Sequence, residues 1–239
     1  PALQFMPEVI HCNDWQTALV PIYLKDECVR WPEIRGIKTV FTIHNIEYQG
    51  RYGKETLEDL FGLAPGWFAD GTIAMDGDVN LLKGALMTCD AITAVSPTYA
   101  QELRYAFFAH GMESVMQRNA GKVHGVLNGI DMVRYDPSKG TGIRNKFSVR
   151  AHGDHLGQAA GLALGGHQQQ VRAGVDGVGQ LLVVAPVEAH PAVVLAPLRE
   201  LYYDKPAEFA NLRKSGMTED FSWSRSAEAY NGIYQKICS

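Results

Sequence analysis

Several things are scarce or missing in this chain, and each absence removes a class of function. No uninterrupted apolar run approaches the roughly 20 residues a membrane-spanning helix needs. The opening "PALQFMPEVIHCNDW" has neither the basic nor the apolar region of a signal peptide, so the cytoplasm is the expected location. Lysine and arginine nowhere form a run: 22 basic and 26 acidic residues are dispersed to a formal net charge of -4, which argues against nucleic acid as a partner. The four cysteines, Cys12, Cys28, Cys89 and Cys238, stand far apart with no C-x-x-C pair, so they read as buried or incidental thiols rather than a zinc site or a disulfide framework. No G-x-G-x-x-G turn follows any apolar run, which argues against a dinucleotide-dependent oxidoreductase. One absence is local. Residues 149 to 200 contain no Phe, Trp, Tyr, Ile, Met, Cys, Ser, Thr, Asn or Lys, although the sequence on both sides is rich in them.

What is present outside that stretch has the pattern of an α/β protein. An apolar fraction of 46%, with 10% aromatic residues, can supply a core in a chain of this length. From Pro1 to about Pro137 short apolar runs alternate with helical ones, the signature of βαβ units on a parallel sheet. "PEVIHCN" reads as a strand. "DWQTALVPIYLKD" follows as a helix, with Asn13 or Asp14 as its cap and Ala18, Leu19, Ile22 and Tyr23 at helical spacing. "KTVFTIHN" is a strand buried on both faces, ending at His44. The polar, glycine-bearing segment after it holds at most short helices and is too long for an idle connection. "VNLLKGALMTC" reads as a helix and "DAITAVS" as a strand. "SPTYAQELRYAFF" reads as a helix capped by Ser96 with Pro97 at its first position, and "GKVHGVLNGID" as a strand running into an Asn-Gly turn. Parallel sheets place ligands at the carboxyl ends of their strands. Those ends carry Asn13 and Asp14, His44 and Asn45, Ser96, and Asn128 with Asp131. Each has a plainer reading as a cap, a turn residue or a satisfied strand end.

Taken together, "PEVIHCNDWQTALVPIYL", "KTVFTIHNIEYQG", "VNLLKGALMTCDAITAVSPTYAQEL" and "GVLNGIDMVRYDP" resemble the bacterial glycogen synthases and plant starch synthases, the family 5 glycosyltransferases. The terminal "LYYDKPAEFANLRKSGMTEDFSWSRSAEAYNGIYQKI" resembles the closing segment of the same enzymes. The resemblance implies a Rossmann-like parallel sheet with flanking helices, one half of a GT-B fold and incomplete here. It also implies transfer of glucose from ADP-glucose to the non-reducing end of an α-1,4-glucan with retention and no metal or other cofactor. By the same resemblance His44 and Asp14 are the catalytic-site residues, and Trp15, Asn45, Tyr48 and Asn128 contact substrate. Gln16 stands where many members have histidine. The chemistry suits these residue types: aromatic faces stack on glucose rings, Asp, Asn and His bond hydroxyls, and the departing diphosphate needs fixed cations. The family supplies those cations from a K-x-G-G-L segment and from its second domain, and neither motif is read in this sequence. The domain expectation is therefore residues 1–137 as the amino-terminal catalytic domain without its first segment, 138–200 as an aberrant, weakly ordered stretch, and 201–239 as the family's helical tail. The chain is expected to be inactive alone; the alternative is a non-catalytic glucan-binding module.

The aberrant stretch has a specific reading. The family's second domain carries a segment of the form A-G-A-D-x-x-L-M-P-S-x-x-E-P-C-G-L-x-Q-M, whose glutamate lies near the reacting sugar. Read from 176 back to 155, the complementary strand of "HLGQAAGLALGGHQQQVRAGVD" permits I-Y-A-G-A-D-L-L-L-M-P-S-K-S-E-P-C-G-L-S-Q-M at every one of 22 positions. The hypothesis is that roughly residues 149–200 are the antisense translation of such a fragment, with Leu162 opposite the glutamate codon. Complementing the coding DNA tests it: no family motif in an open frame, no inversion. His152, His155, His167 and His190 are then incidental, because no carboxylates or cysteines stand beside them at metal-ligand spacing.

Overall fold

The computed structural model describes residues 5–136, 138–139, 171–175, 178–183 and 201–239. The expectations of weak order over 138–200 and of incidental histidines fall largely outside these residues. The chain forms two compact units, Pro1–Leu127 with Glu228–Ser239, and Asn128–Ala227.

The first unit is built on four parallel strands, β1 (Val9–Asn13), β2 (Lys38–Ile43), β6 (Ala91–Ala94) and β7 (Val123–Gly125), hydrogen-bonded in the order β1-β2-β6-β7. Between β1 and β2 runs α1 (Leu19–Glu27); α4 (Leu81–Thr88) precedes β6, and α5 (Pro97–Glu102), α6 (Ala106–Ala109) and α7 (Glu113–Arg118) precede β7. The fold is thus the α/β parallel sheet with flanking helices that the alternating pattern predicts. In β2 every residue after Lys38 is buried, as a strand covered on both faces requires. Alternation then sorts the side chains. Phe41, Ile43, Ile92 and Ala94 enter the main core with Ile22 of α1 and Leu82 and Leu86 of α4. Val40 and Ala91 face the other way and pack with Val126, Ile233, Tyr230 and Tyr234. The last three belong to the helix α9 (Trp223–Cys238), whose residues from Glu228 onward form part of this unit.

Three local expectations are corrected. The segment after β1 is not one helix: a 3-10 turn, Trp15–Thr17, comes first, α1 begins at Leu19, and Asp14 makes no side-chain cap. "SPTYAQELRYAFF" bends after Glu102, and Tyr105 is extended before α6, so that Leu103 and Ala109 can both be fully buried. The long segment after His44 holds the short helices α2 (Thr56–Asp59) and α3 (Gly66–Ala69). It also holds an unforeseen antiparallel sheet of β3 (Arg51–Tyr52), β5 (Asp78–Asn80) and β4 (Ala74–Met75). Strands of two or three residues are below what apolar periodicity can register.

In the second unit, Ile130 bridges Ser222 and donates its N–H to the Phe221 carbonyl at 2.8 Å. The backbone also shows an antiparallel pair, β8 (Val171–Val175) and β9 (Val178–Val183), and the helix α8 (Pro206–Thr218).

Candidate active site

The carboxyl ends of β1 and β2 lie side by side, and three of the residues singled out in the sequence meet there. Asp14 continues the β1–β2 ladder by donating its N–H to the Thr42 carbonyl at 3.0 Å. Its carboxylate Oδ1 accepts the backbone N–H of His44 at 2.8 Å. The His44 ring closes the arrangement through Nε2, 3.0 Å from Asn13 Oδ1; with that amide oxygen accepting, the ring proton resides on Nε2. Asp14 itself is held at φ 57°, ψ 174°, a conformation other residues leave to glycine. Its carbonyl is also occupied, by the Thr17 N–H and hydroxyl, both at 3.1 Å. Bonds on its nitrogen, its side chain and its carbonyl thus hold a backbone geometry the residue would not choose alone. A strained residue held at the end of a parallel strand is where ligand-binding geometry is commonly stored.

The loop after His44 is equally constrained. Asn45 Oδ1 accepts the Glu47 N–H at 2.9 Å, forming an Asx turn. The Ile46 N–H is bonded to the Tyr99 hydroxyl at 3.1 Å. Burial, partly offset by the Ile46 N–H and reinforced by Asp14 and Glu102, pushes the Tyr99 hydroxyl above its ordinary pKa, so it remains a protonated anchor. The buried Gln49 donates to the Ile46 and His110 carbonyls at 3.2 and 3.0 Å and accepts from Asn80 Nδ2 at 2.7 Å. Gly50, at φ 63°, lies against the Trp15 ring so closely that a Cβ would come within 2.5 Å of Trp15 Cε3. Trp15 is half-buried and also packs near Tyr52, ring centroids 6.3 Å apart. Tyr48 is 61% exposed at the outside of the same loop.

The remaining candidates separate. Ser96 is engaged as the cap of α5, its hydroxyl accepting the Tyr99 N–H at 2.9 Å. Asp131 accepts the Val133 and Arg134 N–H groups in a turn. It belongs, like Asn128, to the second unit.

One polar cluster was not singled out in the sequence. His11 Nε2 lies 2.6 Å from Thr42 Oγ1, Thr42 Oγ1 lies 2.5 Å from Thr93 Oγ1, and His11 Nδ1 lies 2.7 Å from the Tyr234 hydroxyl. Burial first, and the nearby His44 second, hold the His11 pKa below its ordinary value, so the ring stays neutral inside the network. The sheet face toward α9 therefore passes from apolar Val9, Val40 and Ala91 to polar His11, Thr42 and Thr93, and then to Asn13 and His44 at the rim. The signal was the alternation V-x-H-x-N in β1, which a search for strand-end residues alone passes over. Among the described residues no cluster of three or more His, Cys, Asp or Glu side chains could hold a metal, and no helix is long and apolar enough to cross a membrane.

A parallel sheet whose carboxyl ends gather hydrogen-bonding side chains and a tryptophan defines a Rossmann-like ligand-binding unit. Comparison with known proteins makes this specific. The family model described as the starch synthase catalytic domain matches residues 1–118. The glycogen synthase of Lactobacillus acidophilus is 40% identical over 145 residues, 61% of this chain and 30% of that enzyme. That of Halalkalibacterium halodurans is 44% identical over 137 residues, 57% of this chain and 28% of that enzyme. The catalytic domain of starch synthase IV from Arabidopsis thaliana, solved bound to ADP and acarbose, superposes with a TM-score of 0.69 at 19% identity. That match covers 99% of this chain and 74% of that one and shares the fold. Residues 1–118 thus match the starch synthase catalytic domain, and over this part the chain is similar to the glycogen and starch synthases, the family 5 glycosyltransferases. Its match spans less than a third of the length of these curated relatives.

Proposed function

We propose that the first unit is the acceptor side of a retaining glucosyltransferase of the glycogen synthase type, which passes glucose from ADP-glucose to the non-reducing end of an α-1,4-glucan in the cytoplasm without a metal. The observation that carries this reading is the bonded group Asn13–Asp14–His44 at the rim of β1 and β2, in the segment shared with the family. In this reading His44 and Asp14 shape the catalytic rim and Trp15, Asn45 and Tyr48 meet sugar; Asn128 is a substrate contact by the family resemblance alone. Residues 1–137 form the catalytic domain, 138–200 the aberrant stretch and 201–239 the family's tail.

The chemistry sets a limit on this polypeptide. Breaking the glycosyl bond builds charge on the leaving diphosphate, which must be met by cations already in place. Residues 149–200 contain no lysine and only three arginines, Arg150, Arg172 and Arg199, and neither of the family's basic motifs is read in the sequence. The expected result is no incorporation of labelled glucose from ADP-glucose into glycogen by the chain alone, with retarded migration in a glycogen-containing native gel. Incorporation above background refutes the inactive reading; unretarded migration refutes the acceptor-side reading. The exposed Tyr48 ring beside the rim favours, as second reading, a module that binds glucan without transferring sugar. Retardation together with maltooligosaccharide binding and no turnover is its signature.

A further inference from the structure

Away from the rim, the first unit has a cavity of about 240 Å3 lined by Asp70, Gly71, Thr72, Lys83, Met87, Ser114, Val115 and Arg118. Its lining is rich in donors and poor in acceptors. Lys83 Nζ gives one hydrogen bond to the Ala74 carbonyl at 2.6 Å and has two N–H groups left. Among the described residues the Arg118 guanidinium has no ion pair, and the hydroxyls of Thr72 and Ser114 have no hydrogen-bond partner. The one carboxylate in the lining, Asp70, is engaged through Oδ1, which accepts the Thr72 N–H at 2.8 Å. Nearby Asp76, which attracts Lys83, is itself bound to Arg51 at 2.8 Å. Burial first, and the nearby Arg118 second, hold the Lys83 pKa below its ordinary value, partly offset by Asp76. Two cations and two hydroxyls around one small cavity, against a single carboxylate already engaged by a backbone N–H, are an arrangement an acceptor-only ligand completes.

We infer that this cavity is a binding site for a phosphate-sized oxyanion, held by Arg118, Lys83 and the Thr72 and Ser114 hydroxyls. Inorganic phosphate and the phosphate group of a phosphorylated sugar share that chemistry, and the volume admits either. The inference is independent of the glucosyl-transfer reading, since none of these residues lies at the rim of β1 and β2.

Titration of the full chain with inorganic phosphate, followed by calorimetry and by the rise in unfolding temperature at ionic strength matched with sodium chloride, tests it. Saturable binding is expected, weakened at least tenfold in Arg118→Gln and several-fold in Ser114→Ala. Both side chains are exposed, so both variants should keep the wild-type circular dichroism. A parallel titration with glucose 6-phosphate separates the sources: tighter binding than phosphate identifies a sugar ester, equal binding the free ion. Absence of saturation by either probe, or equal affinity in Arg118→Gln, overturns the inference.

Discussion

At the scale of single residues, Asp14 is the position on which the rim depends. Its backbone lies in a region that costs a non-glycine residue about 1–3 kcal/mol, while its carboxylate makes a charge-assisted bond to the His44 N–H of the kind contributing about 1.5–3 kcal/mol. These terms nearly cancel, which yields a discriminating pair of variants. Asp14→Ala keeps the strain and loses the bond, and should lower stability by about 2 kcal/mol. Asp14→Gly loses both and should stay within about 1 kcal/mol of wild type. Urea unfolding of the two variants checks this, and coincident midpoints would remove strain from the account. Asp14 and His44 were legible in the sequence as candidates, because polar residues at strand ends stand out from apolar runs, and Trp15 was legible through the family resemblance. What Asp14 does was not legible. A capping role was predicted from its place before a helix, but its partner comes from the end of another strand, 30 residues away.

At the scale of elements, the main strands and helices appear where the pattern places them, and the errors fall on helical segments that divide and on strands of two or three residues. β2 and α4 are continuous apolar patterns and appear where expected. The divided α5 and the small β3-β5-β4 sheet depend on which residues neighbouring elements bury. The tightest such approach is between β7 and the first turn of α5. A Cβ on Gly125 would lie within 2.2 Å of Pro97 Cα and 2.6 Å of the Ser96 carbonyl carbon, both backbone atoms that cannot rotate aside. Gly125→Ala must therefore displace α5, and with it the Tyr99 hydroxyl that holds the Ile46 N–H. The expected cost is about 3 kcal/mol, at the upper end for overpacking. A midpoint shift of less than a third of that in guanidinium unfolding would mean the strand and helix can part cheaply.

At the scale of the whole molecule, the bond between His11 and Tyr234 joins residues near opposite ends of the chain within one unit. It also makes stability depend on pH. The His11 pKa is lowered in the folded state by burial and then by His44, so the unfolded chain binds the proton more readily. Stability is therefore complete above the ordinary histidine value of 6.5 and declines as pH falls below it, until the depressed folded value is reached. His124, lowered by burial and then by Lys236, acts in the same sense. Unfolding measured from pH 8 to pH 5 should show this loss, and His11→Gln should flatten part of it. An identical slope in the variant would place the pH dependence elsewhere.

The sequence by itself determined the α/β class, the order of the main strands and helices, and the family resemblance, because each is carried by contiguous residues: apolar periodicity and motifs many residues long. The tertiary structure decided what no contiguous stretch encodes. It put Asp14 under the His44 amide, closed His11, Thr42, Thr93 and Tyr234 into one network, and left Lys83 and Arg118 facing a shared cavity. These are contacts between residues distant in the chain, and they form only when burial of the apolar faces brings their elements together.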